Sequence, residues 1–184
     1  MAFGAPSLKG RALRYLSQRE HSRAELARKL RRRTASSATE ATKATDAASN
    51  GNAGDDSASS AVATLSANIE AALDELAAHG LLSDERAAAS VLNAQAPRSG
   101  ERRLKQVLQS KGLAPELIAD TLAQVKGTEF ERALALWQRR FGRPAPDATE
   151  RARQMRFLQG RGFGFDVIAR VLRAAKTQVD EEAD

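Results

Sequence analysis

The 184-residue chain contains no cysteine. That excludes a disulfide scaffold, a thiol nucleophile and a cysteine-ligated metal, and it fits a reducing cytosol. Histidine is almost as scarce, with His21 and His79 the two copies. No His/Asp/Glu spacing matches a metal site, and no Ser–His–Asp set is present. Aromatic residues make up 4% of the chain, with one Trp and one Tyr. Val, Ile, Tyr and Phe are together too sparse for a sheet, so the fold class is all-α. No apolar run approaches the length of a membrane-spanning helix. The N-terminal MAFGAPSLKG lacks the apolar core of a signal peptide. Gly160 to Gly164 reads GRGFG, but no strand precedes it and no Gly-Lys-Ser/Thr follows, so it does not make a phosphate loop. These absences predict a soluble, cytoplasmic protein that is not an enzyme. They also predict no metal, no cofactor, no small-molecule substrate and no membrane partner.

What is present is an internal repeat. Leu108 to Leu122 reads LQSKGLAPELIADTL, and Leu158 to Leu172 reads LQGRGFGFDVIARVL. The two align without a gap. Leu108, Gln109, Gly112, Ile118, Ala119 and Leu122 recur as Leu158, Gln159, Gly162, Ile168, Ala169 and Leu172. Each copy reads as a helix end, a glycine turn and a second helix. Gly112 and Gly162 suit the left-handed position just past a helix, with Leu113 or Phe163 packing back. Pro115 suits the first turn of the next helix.

Taken in order, the chain reads as three modules of three helices. Leu8, Ala12, Tyr15 and Leu16 form one apolar stripe. Ser22 and Glu25 form a capping box that starts a second helix, with Leu26, Ala27 and Leu30 inward and Arg23, Arg28 and Arg31 toward solvent. Composition then changes. Thr34 to Ala63 is almost entirely Ala, Ser, Thr, Gly, Asn and Asp, and it reads as a disordered insertion. Ile69, Leu73 and Leu76 resume the helical spacing. The insertion thus falls where the other copies have their glycine turn, and it splits a third copy of the unit. In the second module Gly80 ends a helix, Leu81 and Leu82 pack back, and Ser83 or Asp84 caps the next. Ala88, Val91 and Leu92 face inward, Ser99 caps a helix carrying Leu104, Val107 and Leu108, and Pro115 to Val125 is the last helix. The third module opens with a Thr128–Glu131 capping box. Phe130, Leu134, Trp137 and Phe141 form its stripe, with Trp137 in the core. Asp147 with Glu150 caps the helix of Phe157 and Leu158, and the last helix carries Val167, Ile168, Val171 and Leu172. The boundaries are 1–82, with the insertion at about 34–64, then 83–126 and 127–176, followed by an acidic tail at 177–184. Tandem units of this kind predict an elongated, curved array.

The formal charge of +6 is uneven. Met1 to Arg33 holds ten basic and two acidic residues, and residues 127–175 hold ten and five. Lys176 to Asp184 holds one basic residue and four acidic ones. Basic helices beside an acidic tail point to a polyanion or an acidic protein groove as partner.

Four stretches are similar to the RecX family of bacterial recombinase regulators. They are YLSQREHSRAELARKL (Tyr15 to Leu30), GLLSDERAA (Gly80 to Ala88), SGERRLKQVLQSKGL (Ser99 to Leu113) and RQMRFLQGRGF (Arg153 to Phe163). The resemblance implies a monomer that binds the filament of RecA on single-stranded DNA, lies in its groove, and inhibits its ATPase and strand exchange. Arg98, Arg102, Arg103, Lys105, Lys111, Arg153, Arg156 and Arg161 are then the candidate contacts to the filament or its DNA. Two other readings of the residues stay open. Three-helix units with a basic helix also dock on duplex DNA, and a plain helical adaptor would use the same charges only for solubility.

Overall fold

The computed structural model describes residues 7–45 and 55–182, and within them the backbone is helical with no strand. The order is α1 (Leu8–Leu16), α2 (Arg23–Thr45), α3 (Asp55–Ala78), α4 (Asp84–Gln95), a short 3-10 turn (Ala96–Arg98), α5 (Glu101–Ser110), α6 (Pro115–Lys126), α7 (Glu129–Arg140), α8 (Ala148–Gly160) and α9 (Phe165–Glu182). The chain divides into two compact units, Met1–Ala87 and Ala88–Asp184. Three hydrophobic clusters lie within them. One gathers Ala12, Leu26, Ala27, Leu30, Ile69, Leu73, Leu76 and Leu82. The second holds Ala88, Leu92, Leu104, Leu108, Leu113, Ile118 and Leu122. The third is built on Trp137, Leu158, Phe163, Val167, Ile168, Val171 and Leu172. Each side chain of this size contributes roughly 1.5–3 kcal/mol on full burial. The second and third clusters share the second unit.

In the first unit α3 returns along α2. Arg23 pairs with both Glu70 and Asp74 at 2.7 Å, and Arg31 pairs with Glu70 at 2.8 Å. Two of the arginines read as solvent-facing therefore tie the helices together. Ser22 Oγ accepts from Glu25 N as the sequence predicts, at 3.1 Å. Asp84 has a further role, since its carboxylate accepts from Arg23 N at 2.7 Å. Ser83 caps α4 through Arg86 N.

The insertion requires a correction. α2 continues through Thr45 and α3 starts at Asp55, so much of Thr34 to Ala63 is helical rather than disordered. Alanine is the best helix former, and lengthening an existing helix needs no new nucleus. Residues 46–54 lie outside the described residues. At the other end α9 runs to Glu182, so most of the segment read as an acidic tail is helical; residues 183–184 lie outside the described residues. Leu81 is also corrected: it stays 46% exposed, and Leu82 alone enters the core.

The glycine turns match expectation. Gly80, Gly112, Gly142 and Gly162 all have positive φ. After α8, Gly162 N donates to Gln159 O at 2.9 Å and Phe163 N to Leu158 O at 3.3 Å. This paired closure satisfies two terminal carbonyls and drives Phe163 into the core.

A basic seam between the second and third modules

The first amide groups of any helix lack intrahelical acceptors. At α5 the cap position is held by Gly100, which has no side chain to satisfy them. The α8–α9 turn supplies the acceptors instead. Gly100 N donates to Arg161 O at 2.9 Å, and Arg102 N to Gly162 O at 3.2 Å. Glu101 N donates to Glu129 Oε1 at 2.9 Å. Ser99 is therefore not the cap that the sequence suggested; it is buried, and its carbonyl accepts from Arg132.

The approach is close enough to require glycine on both sides. A Cβ on Gly100 would lie 2.4 Å from Gly162 O, and one on Gly162 would lie 2.5 Å from Arg103 N. Both contacts are to backbone, which cannot swing aside as a side-chain tip can.

Arg132 closes the seam from the α7 side. Nη1 donates to Ala96 O at 2.7 Å and to Ser99 O at 2.6 Å. Nη2 donates to Val125 O at 3.2 Å, and Nε to Thr128 Oγ1 at 3.2 Å. Burial pushes this guanidinium below its ordinary pKa, while Glu129 and Glu131 act the other way. The Thr128–Glu131 box does not form as read, because the Thr128 hydroxyl donates to Val125 O and makes no cap bond. Neither Arg132 nor Glu129 stood out in the sequence, because neither has a motif around it. Gln154 was missed likewise: it is buried, and its Oε1 accepts from Trp137 Nε1 at 2.9 Å.

The eight candidate contacts separate on this frame. Arg102, Arg103 and Arg161 meet at the seam, through the α5 start and the turn it docks on. Arg161 is half-buried, with its guanidinium 5.2 Å from the centre of the Phe157 ring. Arg102, Arg103 and Arg156 are exposed, and none of them makes an ion pair among the described residues. Arg153 is exposed and 3.3 Å from Glu150. Arg98 folds back on its own segment, donating to Ala94 O at 3.0 and 3.2 Å. Lys105 is exposed and lines a groove between α5 and α6. Lys111 is the half-buried C-cap of α5.

One side of the seam, with Glu129, Arg132, Arg161 and Gly162, lies in a segment that comparison with known proteins assigns. Residues 128–172 match the family model described as the third three-helix domain of RecX, and residues 9–41 match the first. The regulatory protein RecX of Leptothrix cholodnii is 46% identical over 176 residues, covering 96% of this chain and 94% of that protein. The chain belongs to the RecX family. The regulatory protein RecX of Ralstonia nicotianae is 39% identical over 95% of this chain and 92% of its own length. The crystal structure of RecX from Lactobacillus salivarius shares the fold, with a TM-score of 0.63 at 18% identity, over 92% of this chain and 95% of that one. As in that family, the chain is an all-α array of three-helix repeats. Among the described residues no helix is long and apolar enough to cross a membrane, and no group of His, Cys, Asp and Glu side chains is arranged to hold a metal.

Proposed function

We propose that this RecX-family chain regulates the RecA recombinase by binding its filament on single-stranded DNA and suppressing ATP hydrolysis and strand exchange. Recombinational repair and the response to DNA damage would be restrained as a result. Family membership supports the reading, and the seam is the observation that carries it. Backbone bonds between Gly100, Arg102, Arg161 and Gly162 fix two modules together, so the helix start that carries Arg102 and Arg103 and the turn that carries Arg161 are held on a rigid base. Arg153 and Arg156 on α8 extend the same basic character. Cations held on a rigid frame lose less freedom when they meet phosphates or carboxylates. A filament offers both, as the DNA backbone and as repeated acidic protein surface.

The test is titration of the protein into a RecA–single-stranded-DNA ATPase assay. Inhibition well below one molecule per recombinase is the expected result. No inhibition at equimolar ratio, with the helical spectrum intact, would end this reading. Tight binding to duplex DNA without recombinase would favour a direct DNA-binding role instead.

A further inference from the structure

A groove of about 530 Å³ runs between α5 and α6 in the second module. Its floor is apolar, made of Leu113, Ile118 and Leu122. Ala119 and Ala123 hold the α6 side open, because neither carries bulk beyond Cβ. The groove residues of α5 recur at i, i+4 and i+8, from Glu101 through Lys105, so the wall is about 12 Å long at 1.5 Å per residue. That length matches two turns of a second helix, and the volume lies within the roughly 300–1,000 Å³ of ligand clefts. Lys105 and Lys126 stand on the rim, one from each helix, both exposed and neither in an ion pair among the described residues. The opening belongs to this module in particular. In the third module the positions in register with Lys105 and Ala123 carry Met155 and Arg173.

We propose that the α5–α6 groove docks an amphipathic helix of a protein partner, with its apolar stripe on the floor and its flanking carboxylates on Lys105 and Lys126. This is the helix-in-groove mode, read through anchors at i, i+3 or i+4, and i+7. The floor offers aliphatic carbon and no aromatic face, so it gives nothing to a nucleic-acid base that would stack there. A second copy of this chain would bring its own positive charge, since the net charge is +6. The proposal rests on the reading of the chain as a regulator that engages a protein, but its surface leaves out the seam arginines and meets the seam only at Glu101.

The probe is a fluorescent synthetic amphipathic helix of about 16 residues, with leucines at i, i+4 and i+7 flanked by glutamates. Anisotropy is measured against the full chain. Saturable binding is expected, weakened at least tenfold by Ala123→Trp, which fills the groove, and by Lys105→Glu with Lys126→Glu. Circular dichroism and melting confirm that the variants are folded. The same peptide with lysine in place of glutamate should prefer the charge-reversed variant, and that rescue is independent of any loss of fold. Equal binding of a scrambled acidic peptide would overturn the proposal, as would no binding to the folded parent. It would also be overturned by light scattering that showed a dimer lost in Ala123→Trp. Peptide capture without filament inhibition would leave the groove assignment standing and remove the filament reading. Filament inhibition without peptide capture would do the reverse.

Discussion

Gly162 carries two separate constraints. Its φ of +84° is one that L-residues reach only with strain, and its Cβ position is occupied by the backbone of Arg103. Gly142 in the same unit has φ +65°, but the nearest atom to its Cβ position is at 3.4 Å. Gly142→Ala should therefore cost only the left-handed strain, about 1–2 kcal/mol. Gly162→Ala should cost that plus the displacement of a packed neighbour, about 1–3 kcal/mol more. Urea unfolding read by Trp137 fluorescence reports on both, since that side chain is buried in the same unit. Equal midpoints for the two variants would mean that the seam yields easily. His21 poses a different problem at the same scale. Nε2 is buried without a hydrogen-bond partner among the described residues, and Nδ1 faces Glu25 Oε1 at 3.2 Å. Burial depresses its pKa most; Arg19 and Lys29 add to this, and Glu25 opposes them. The unfolded chain then binds the proton more readily than the folded one. Stability of the first unit should be full above the ordinary histidine range, near pH 6.5, and should fall as pH drops below it. His21→Gln should flatten that slope in urea titrations followed by circular dichroism. An unchanged slope would place the titration elsewhere.

At the scale of elements, the apolar stripes were legible because each repeats at helical spacing. Leu26 and Leu30, Ile69 and Leu73, Leu104 and Leu108 all fall where their periodicity puts them, fully buried. The extended helices on either side of residues 46–54 are not legible, because a segment without large apolar residues cannot by itself offset its chain entropy. That argument holds for a free segment. It fails for one that propagates from a stem already held by Leu30 and Ile69, where each added residue gains a hydrogen bond without a new nucleus. The seam was illegible for another reason: its docking bonds run between backbone groups, and the side chains that close it, Glu129 and Arg132, lie in no motif. The capping boxes split on similar grounds. Asp147 Oδ1 accepts from Glu150 N at 2.8 Å, while Thr128 turns its hydroxyl to a carbonyl left over from α6. From this follows a prediction about the insertion. Replacing residues 39–60 by a four-residue Gly-Asn-Gly-Ser loop should leave the first core intact and shift stability by no more than about 0.5 kcal/mol, as for other surface changes. Filament inhibition should persist. A variant with an unchanged melting curve but no ATPase inhibition would show that the extended helices take part in binding.

Across the whole molecule, formal charge and available charge are distributed differently. The N-terminal segment has the larger excess, yet Lys9 pairs with Glu75, Arg19 with Glu25, Arg23 with Glu70 and Asp74, and Arg31 with Glu70 inside the first unit. Arg86 pairs with Glu20 at 2.9 Å. In the second unit Arg102, Arg103 and Arg156 are exposed without an ion pair among the described residues, and Arg153 has only its neighbour Glu150. Arg14, Arg32 and Arg33 of the first unit are likewise exposed without an ion pair among the described residues, so pairing lowers the available charge of the first unit without removing it. Replacing Arg102, Arg103, Arg153 and Arg156 together by Ser should leave helix content largely unchanged, because all four side chains are exposed. Filament binding should weaken at least tenfold, equivalent to about 1.4 kcal/mol. The loss should be greatest at an ionic strength of about 0.01 M, where the screening length is about 30 Å, and smaller at about 0.1 M, where it is about 10 Å. Binding of parent and variant to preformed filaments at both salts, with circular dichroism as the folding control, gives the four numbers needed. A folded variant that bound like the parent at both salts would rule out the cationic seam. Contact would then have to run through apolar surface, and the α5–α6 groove is the first place to look.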